Sequence, residues 1–477
     1  MTGAGRRFVT ARKGARNKGV ALGALLRNIQ GLEAFTVVNR CTAFRSFGDM
    51  PLIPPLRSRR SAALRRTRVP PALTHGPESM PAAGILDEVP GDLGVLLWRS
   101  VRNVALWAST PAAQRGALFC GGAADVREAD VGRLPVEPEL VAPLSVMVRL
   151  LETPARMDVM RMVNACRRVS LWAEQRGSLA TALEFMQAAA QTAPQVAALA
   201  YAVGRLARRR AEYDRAESWY GRAIVQARRT GDWRTYALGY SGLGNLNTQK
   251  GNFPVARRAQ MRGLRAALRH NLTDLQGIAF HDLFVTHIET GAGADSTSLA
   301  ARAFAAYGAD HPFVPRLAYD LAYHWTLQGY FEQALSVASA MEHVFDAPAE
   351  LALVLGLVAR AAGGTANVRV FEEARTRLDD VLGAGAEYDT AARALLGVSY
   401  GAGSLKRWEL AEATALRALE IANQRREGRV VMAAEAALSF VRSRPEPSPR
   451  IEPEEVQAVL AGEFVRALRR RPALAGA

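Results

Sequence analysis

Gly177-Ser-Leu179-Ala-Thr-Ala182, Ala211-Glu-Tyr213-Asp-Arg-Ala216 and Gly251-Asn-Phe253-Pro-Val-Ala256 spell one pattern. Each stretch opens on a small or turn-forming residue, sets an apolar or aromatic residue two positions on, and an alanine three beyond that. The pattern returns in Gly329-Tyr-Phe331-Glu-Gln-Ala334, Val370-Phe371-Glu-Glu-Ala374 and Arg407-Trp408-Glu-Leu-Ala411, and a degenerate copy ends at Ala300. Alanines 182, 216, 256, 300, 334, 374 and 411 lie 34, 40, 44, 34, 40 and 37 residues apart. A fixed period of this size marks a repeat array, because chance alanine-rich helices do not keep register over more than 200 residues.

Each copy reads as a helical hairpin. Twelve residues before the marker alanine stands a second small residue: Ser170, Gly204, Gly244 and Ala322 in the clearest copies. Antiparallel helices approach closely only where both present small side chains, and the Gly or Ala between them permits a tight turn. Bulky residues follow the marker by four (Met186, Tyr220, Phe304) and small ones by seven (Ala189, Ala223, Gly263, Ala418). Pro194 ends the first hairpin because proline cannot continue a helix. A lone hairpin leaves one face uncovered, so neighbours must stack.

These residues resemble the tetratricopeptide repeat family, in the elongated form of bacterial regulatory proteins; Val203-Gly204, Ala216, Tyr220 and Ala223 fit best. The resemblance covers residues 155–443 as about seven hairpins and implies an all-α, right-handed superhelical solenoid. It also implies a protein-interaction scaffold whose first helices line a concave groove. The groove positions fall six and three residues before, and one and four after, the small residue of each first helix. They carry over to Arg167, with Arg168 beside it, Arg205, Arg208, Asn245, His281, Tyr319 and Tyr323. Such a groove would be basic at one end and aromatic further on. It would suit an extended peptide with an acidic end, held by guanidinium forks and aromatic contacts; a solvated helix end is the other reading of Arg205 to Arg210.

Outward from the array, Leu93, Leu96, Leu97, Val101, Val104 and Trp107 recur at helical spacing, and Pro138 to Leu151 opens a second amphipathic helix. Residues 85–154 are therefore expected to form a helical cap, with a Gly-, Asp- and Pro-rich loop over 120–138. The long Gly291-Ala-Gly293-Ala-Asp295 and the Gly363-Gly364 pair are expected as loops. Residues 444–477 read as a proline-rich linker and a helix with Val456, Leu460, Phe464 and Leu468 on one face, placed to cap the open end of the array.

The 477 residues carry 61 Lys and Arg against 45 Asp and Glu, a net charge of +16. Residues 1–80 alone hold 15 basic residues and three acids, so the net over 81–477 is only +4. The tail, 1–84, shows no sustained period and reads as disordered. It is open to three readings: an arm over residues 1–79 that contacts nucleic acid, a targeting peptide, or upstream sequence with Met80 as the true start. No stretch reaches the length of about 18 apolar residues that a membrane helix needs.

No chemistry stands out. His281 and His287, six apart, face opposite sides of a helix, unlike ligands to one metal. No phosphate loop, dinucleotide fingerprint or nucleophile elbow is present. Cys41, Cys120 and Cys166 are too scattered for a zinc cluster or a disulfide framework. Cys166 beside Arg167 and Arg168 would be reactive only if exposed. The expectation is a cytoplasmic, non-enzymatic scaffold or sensor without cofactor or metal that binds a protein or peptide, possession of an acidic end being the partner's expected trait. The alternative is a transcription-associated regulator that uses the basic tail.

Overall fold

The computed structural model describes residues 83–133, 136–291, 296–345, 347–383, 390–425, 427–446 and 455–471. The tail of 1–82, the loop of 292–295 and most of the 447–454 linker lie outside the described residues, and with them the sequence readings of those segments. Among the described residues there are 20 α-helices and no β-strand. They belong to two compact units, and the chain passes from one to the other between Leu272 and Thr273.

The N-terminal unit opens with α1 (Ala83–Glu88), α2 (Gly91–Ser109), α3 (Ala123–Arg133) and α4 (Pro138–Glu152). Three hairpins follow: α5 (Val159–Gln175) with α6 (Leu179–Thr192), α7 (Ala197–Arg209) with α8 (Tyr213–Thr230), and α9 (Trp233–Gln249) with α10 (Phe253–Arg269). Helix α2 packs on α4 and α6 through Leu97, Val104 and Trp107, all fully buried. The Trp107 indole N–H donates to the Pro154 carbonyl at 2.7 Å, and the Glu88 carboxylate accepts the Ala180 and Thr181 N–H groups at 2.7 and 2.8 Å. A distant acid thus satisfies two of the donors that every helix start leaves open. The expected loop over 120–138 contains α3. Only Ala124 of that helix is buried, so it has no apolar face for periodicity to report.

The C-terminal unit has four hairpins: α11 (Thr273–Glu289) with α12 (Ser296–Tyr307), α13 (Val314–Gln328) with α14 (Phe331–Met341), α15 (Pro348–Gly364) with α16 (Val368–Gly383), and α17 (Ala391–Ser404) with α18 (Trp408–Gln424). Helix α19 (Gly428–Ser443) packs on α18 and α17. The last helix, α20 (Glu455–Arg469), does not cover that end. It returns to α13 and α14, where the Phe464 and Phe304 rings lie 4.5 Å apart, the His343 ring donates to the Leu468 carbonyl, and Arg471 donates to the Ala309 and His311 carbonyls at 2.7 Å. Leu460, Phe464 and Leu468 are buried as expected, whereas Val456 faces solvent.

One turn geometry recurs between paired helices. The residue before the second helix's N-cap takes a left-handed φ: 77° at Gly177, 60° at Ala211, 75° at Gly251, 89° at Gly329 and 59° at Lys406. The N-cap N–H then reaches back five residues, from Ser178 to Ala173, Glu212 to Ala207, Asn252 to Asn247, Tyr330 to Trp325 and Arg407 to Ala402. Hydrogen bonds of this kind close the carbonyls that a helix end leaves unpaired. The sixth hairpin makes the same turn at Ala366 (φ 56°), and Asn367 reaches Ala362. Counting from Asn367, the marker position is Phe371 rather than Ala374, and the last spacings become 37 and 40. The marker also explains its partner twelve residues earlier: the Ser170 hydroxyl donates to the Ala182 carbonyl at 2.7 Å, and Ser399 does the same to Ala411 at 2.8 Å.

Gly363 and Gly364, expected in a loop, end α15 instead. Gly363 belongs to a close approach of α15 and α17, and Gly364 lies against the Phe331 ring of α14. A Cβ on Gly397 would lie 2.2 Å from the Gly356 carbonyl oxygen, and one on Gly401 would lie 2.4 Å from that of Ala359. Gly397→Val is therefore expected to force the helices apart and to cost about 3 kcal/mol, read from the urea midpoint. A loss under about 1 kcal/mol would show that the helices part freely.

Arginine links neighbouring hairpins. Arg205 and Arg209 hold Glu174, Arg215 holds Glu184, Arg377 holds Glu342, Arg407 holds Glu372 and Arg417 holds Asp379, all pairs 31 to 38 residues apart. Composition shows an arginine excess; the fold puts much of it to use between repeats.

Candidate functional site

The first helices α13, α15 and α17 line a cleft in the C-terminal unit that is open to solvent. Its walls are Tyr319, Asp320 and Tyr323 from α13, Leu353, Gly356, Leu357 and Arg360 from α15, and Arg393, Leu396 and Gly397 from α17. The glycines that let α15 and α17 approach so closely also line the cleft, and the leucines supply an apolar wall.

Three successive hairpins contribute a ladder. In the corrected register, Tyr323, Arg360 and Tyr400 each follow the small residue of their first helix (Ala322, Ala359, Ser399) by one. The Arg360 guanidinium lies 5.4 Å from the Tyr323 ring centroid and 4.4 Å from that of Tyr400. Cation–π contacts with the two rings fix the position of the guanidinium. Arg393 occupies the position six before Ser399 and brings a second guanidinium.

On the other side of the cleft sits Asp320, buried and doubly held. Its carboxylate lies 2.9 Å from His281 Nε2 and 3.3 Å from Arg316 Nε. Burial pushes the carboxyl up, but Arg316 and His281 outweigh it and hold it below the ordinary carboxylate value. The carboxylate is thus ionised at neutral pH. The cleft presents a fixed anion, two guanidiniums, two phenol rings and an aliphatic wall, and it can take a ligand with a carboxylate or other oxyanion next to an apolar group.

Of the residues expected in a groove, Tyr319 and Tyr323 line this cleft and His281 supports its Asp320. Arg167, Arg168, Arg205, Arg208 and Asn245 lie in the N-terminal unit on α5, α7 and α9. Arg205 chelates Glu174 there with two 2.6 Å hydrogen bonds, which gives it a structural partner. Arg168 is exposed, Arg167, Arg208 and Asn245 are half-buried, and burial lowers the Arg167 pKa. Sequence reasoning missed Arg360 and Arg393. The signal for Arg360 was present: counting from Ala374 places Gly363 at the groove position, and counting from Phe371 places Arg360 there.

Cys166 is fully buried, and burial pushes its thiol up to about 12, so it carries no thiolate at neutral pH. Among the described residues, no three His, Cys, Asp or Glu side chains gather as metal ligands, and no helix is long and apolar enough to cross a membrane.

No protein-family model and no curated protein matches the chain. Among the 23 matching chains of solved structures is a crystal structure of Rap protein complexed with Competence and Sporulation Factor. It is 12% identical, with a TM-score of 0.36 over 74% of this chain and 98% of that one.

Proposed function

We propose that the chain is a non-enzymatic binding scaffold whose cleft on α13, α15 and α17 takes a peptide segment with an acidic group beside a bulky apolar side chain. The observation that carries this reading is the Tyr323–Arg360–Tyr400 ladder, which holds a charge at the mouth of an apolar cleft. Arg393 supplies a second donor fork, and Asp320 turns away a second acidic group and favours a basic or amide neighbour. The repeat resemblance, which implies a groove on first helices, supports this reading.

Selection of a random heptapeptide phage library on the immobilised full-length chain tests it. Enriched peptides should pair Asp, Glu or a free carboxylate with an aromatic or aliphatic residue. The double variant Arg360→Ala, Arg393→Ala should bind the selected synthetic peptides at least tenfold more weakly, since a charge-assisted hydrogen bond contributes about 1.5–3 kcal/mol. No enrichment over a blank surface, or equal binding by the variant, removes the cleft from consideration.

A further inference from the structure

Hairpin three of the N-terminal unit breaks the charge balance of the array. From Trp233 to Thr273 there are seven basic residues and no Asp or Glu, a net of +7, where residues 81–477 together carry only +4. Five of the seven are the arginines of α10: 257, 258, 262, 265 and 269, all exposed. None forms an ion pair with a described residue, unlike the cross-repeat arginines described above; Arg262 alone has a ring contact, 5.8 Å from the Tyr240 centroid.

Arg258, Arg262, Arg265 and Arg269 are spaced by 4, 3 and 4 residues. That puts them on one face of the helix, over about 16 Å of its length. Four guanidiniums in a row without counter-charge repel each other, and an anion repeated along a chain relieves all of them at once. At the end of the row, His270 follows Arg269, and its ring stacks on Trp233 at 4.5 Å with 8° between the planes. Trp233 is half-exposed and meets Tyr236 edge-on at 5.6 Å.

We propose that the α10 face, with Trp233 at its end, is a binding site for single-stranded nucleic acid. Guanidinium forks take phosphate oxygens in paired hydrogen bonds, and an aromatic beside a basic track offers a platform on which bases stack. The apolar content of the face favours this occupant over a lipid surface: Leu268 is the one large apolar side chain on α10 that is prominently exposed. The site lies in the other unit from the peptide cleft and does not depend on it.

Fluorescence anisotropy of a labelled single strand of about 16 nucleotides, titrated with the full-length chain at several salt concentrations, tests the proposal. The variant Arg258→Gln, Arg262→Gln, Arg265→Gln, Arg269→Gln should bind at least tenfold more weakly at low salt. Its slope of log affinity against log salt should fall by about 3, since each phosphate contact on a single strand contributes about 0.7. Trp233→Ala should weaken binding without changing the slope. A charge-matched control, Arg369→Gln, Arg375→Gln, Arg417→Gln, Arg442→Gln, removes arginines that are already paired with acids and should bind as the unaltered protein does. The tail is present in every form and cancels from the comparison. The proposal is overturned if the unaltered chain does not bind, if the α10 variant retains affinity and slope, if the control loses as much, or if polyglutamate or phosphatidylserine vesicles compete as well as an unlabelled strand does.

Discussion

Glu174→Ala is expected to destabilise the N-terminal unit by about 3–5 kcal/mol. The carboxylate lies between Arg205 and Arg209, and the three side chains retain only 18, 22 and 12% exposure. Exposed ion pairs contribute little, but removing one partner of a buried cluster strands the others without water or counter-charge. Here two guanidiniums would be stranded. Burial pushes the Glu174 carboxyl up, and the hydrogen bonds and charges of Arg205 and Arg209 overcome it, leaving the pKa below the ordinary carboxylate value. A depressed folded-state pKa gives stability that is present above the unfolded value of about 4.3. That stability is lost as pH falls through the folded value. The stability gap between the protein and Glu174→Gln should therefore be widest near neutral pH and shrink below about pH 4. Guanidinium unfolding followed by circular dichroism at several pH values reads both effects. A neutral-pH loss under about 1 kcal/mol would mean that the cluster behaves like a surface pair.

Phe371→Ala should cost about 3–5 kcal/mol, the usual range for deleting a buried aromatic ring. The ring is fully buried, and its Cε2 lies 3.0 Å from where a Cβ on Gly401 would stand. Phe371 occupies the hairpin position that alanine fills at 182, 216, 256, 334 and 411. Helix α17 makes room for it with Gly401. Ala374→Gly, one turn further on, should cost about 1–2 kcal/mol, from helix propensity and one buried methyl group. If the two substitutions cost the same, the turn at Ala366 does not set the register of this hairpin.

The contrast between those two positions shows what the sequence could and could not reveal. Period and hairpin content were legible because Ala182, Ala216, Ala256, Ala334 and Ala411 are all fully buried, which leaves little choice of residue. In the sixth copy the partner helix is glycine-rich, so the contact admits a phenylalanine and the nearest alanine misleads by three residues. That slip hid Arg360, the centre of the aromatic ladder. Helix α3 was invisible for a different reason: it buries almost nothing, so its alanines and valines form no apolar stripe. Tyr319 and Tyr323 could be assigned to the groove from their first-helix positions alone. The pairing of Tyr323 with Arg360, and the clamp on Asp320 by His281 39 residues away, depend on how hairpins stack, which no local pattern encodes.

The return of α20 to α13 and α14 alters the order in which the C-terminal unit can be assembled. Nearest-neighbour hairpins can consolidate one after another as a chain is synthesised. Arg471, however, binds carbonyls 160 and 162 residues upstream, and His343 waits 125 residues for Leu468. Such distant closure raises contact order and slows folding. The tie also makes hairpins four and five answer to the far end of their unit, so that stretch behaves less as a string of independent modules than as a closed loop that gains or loses its structure as one.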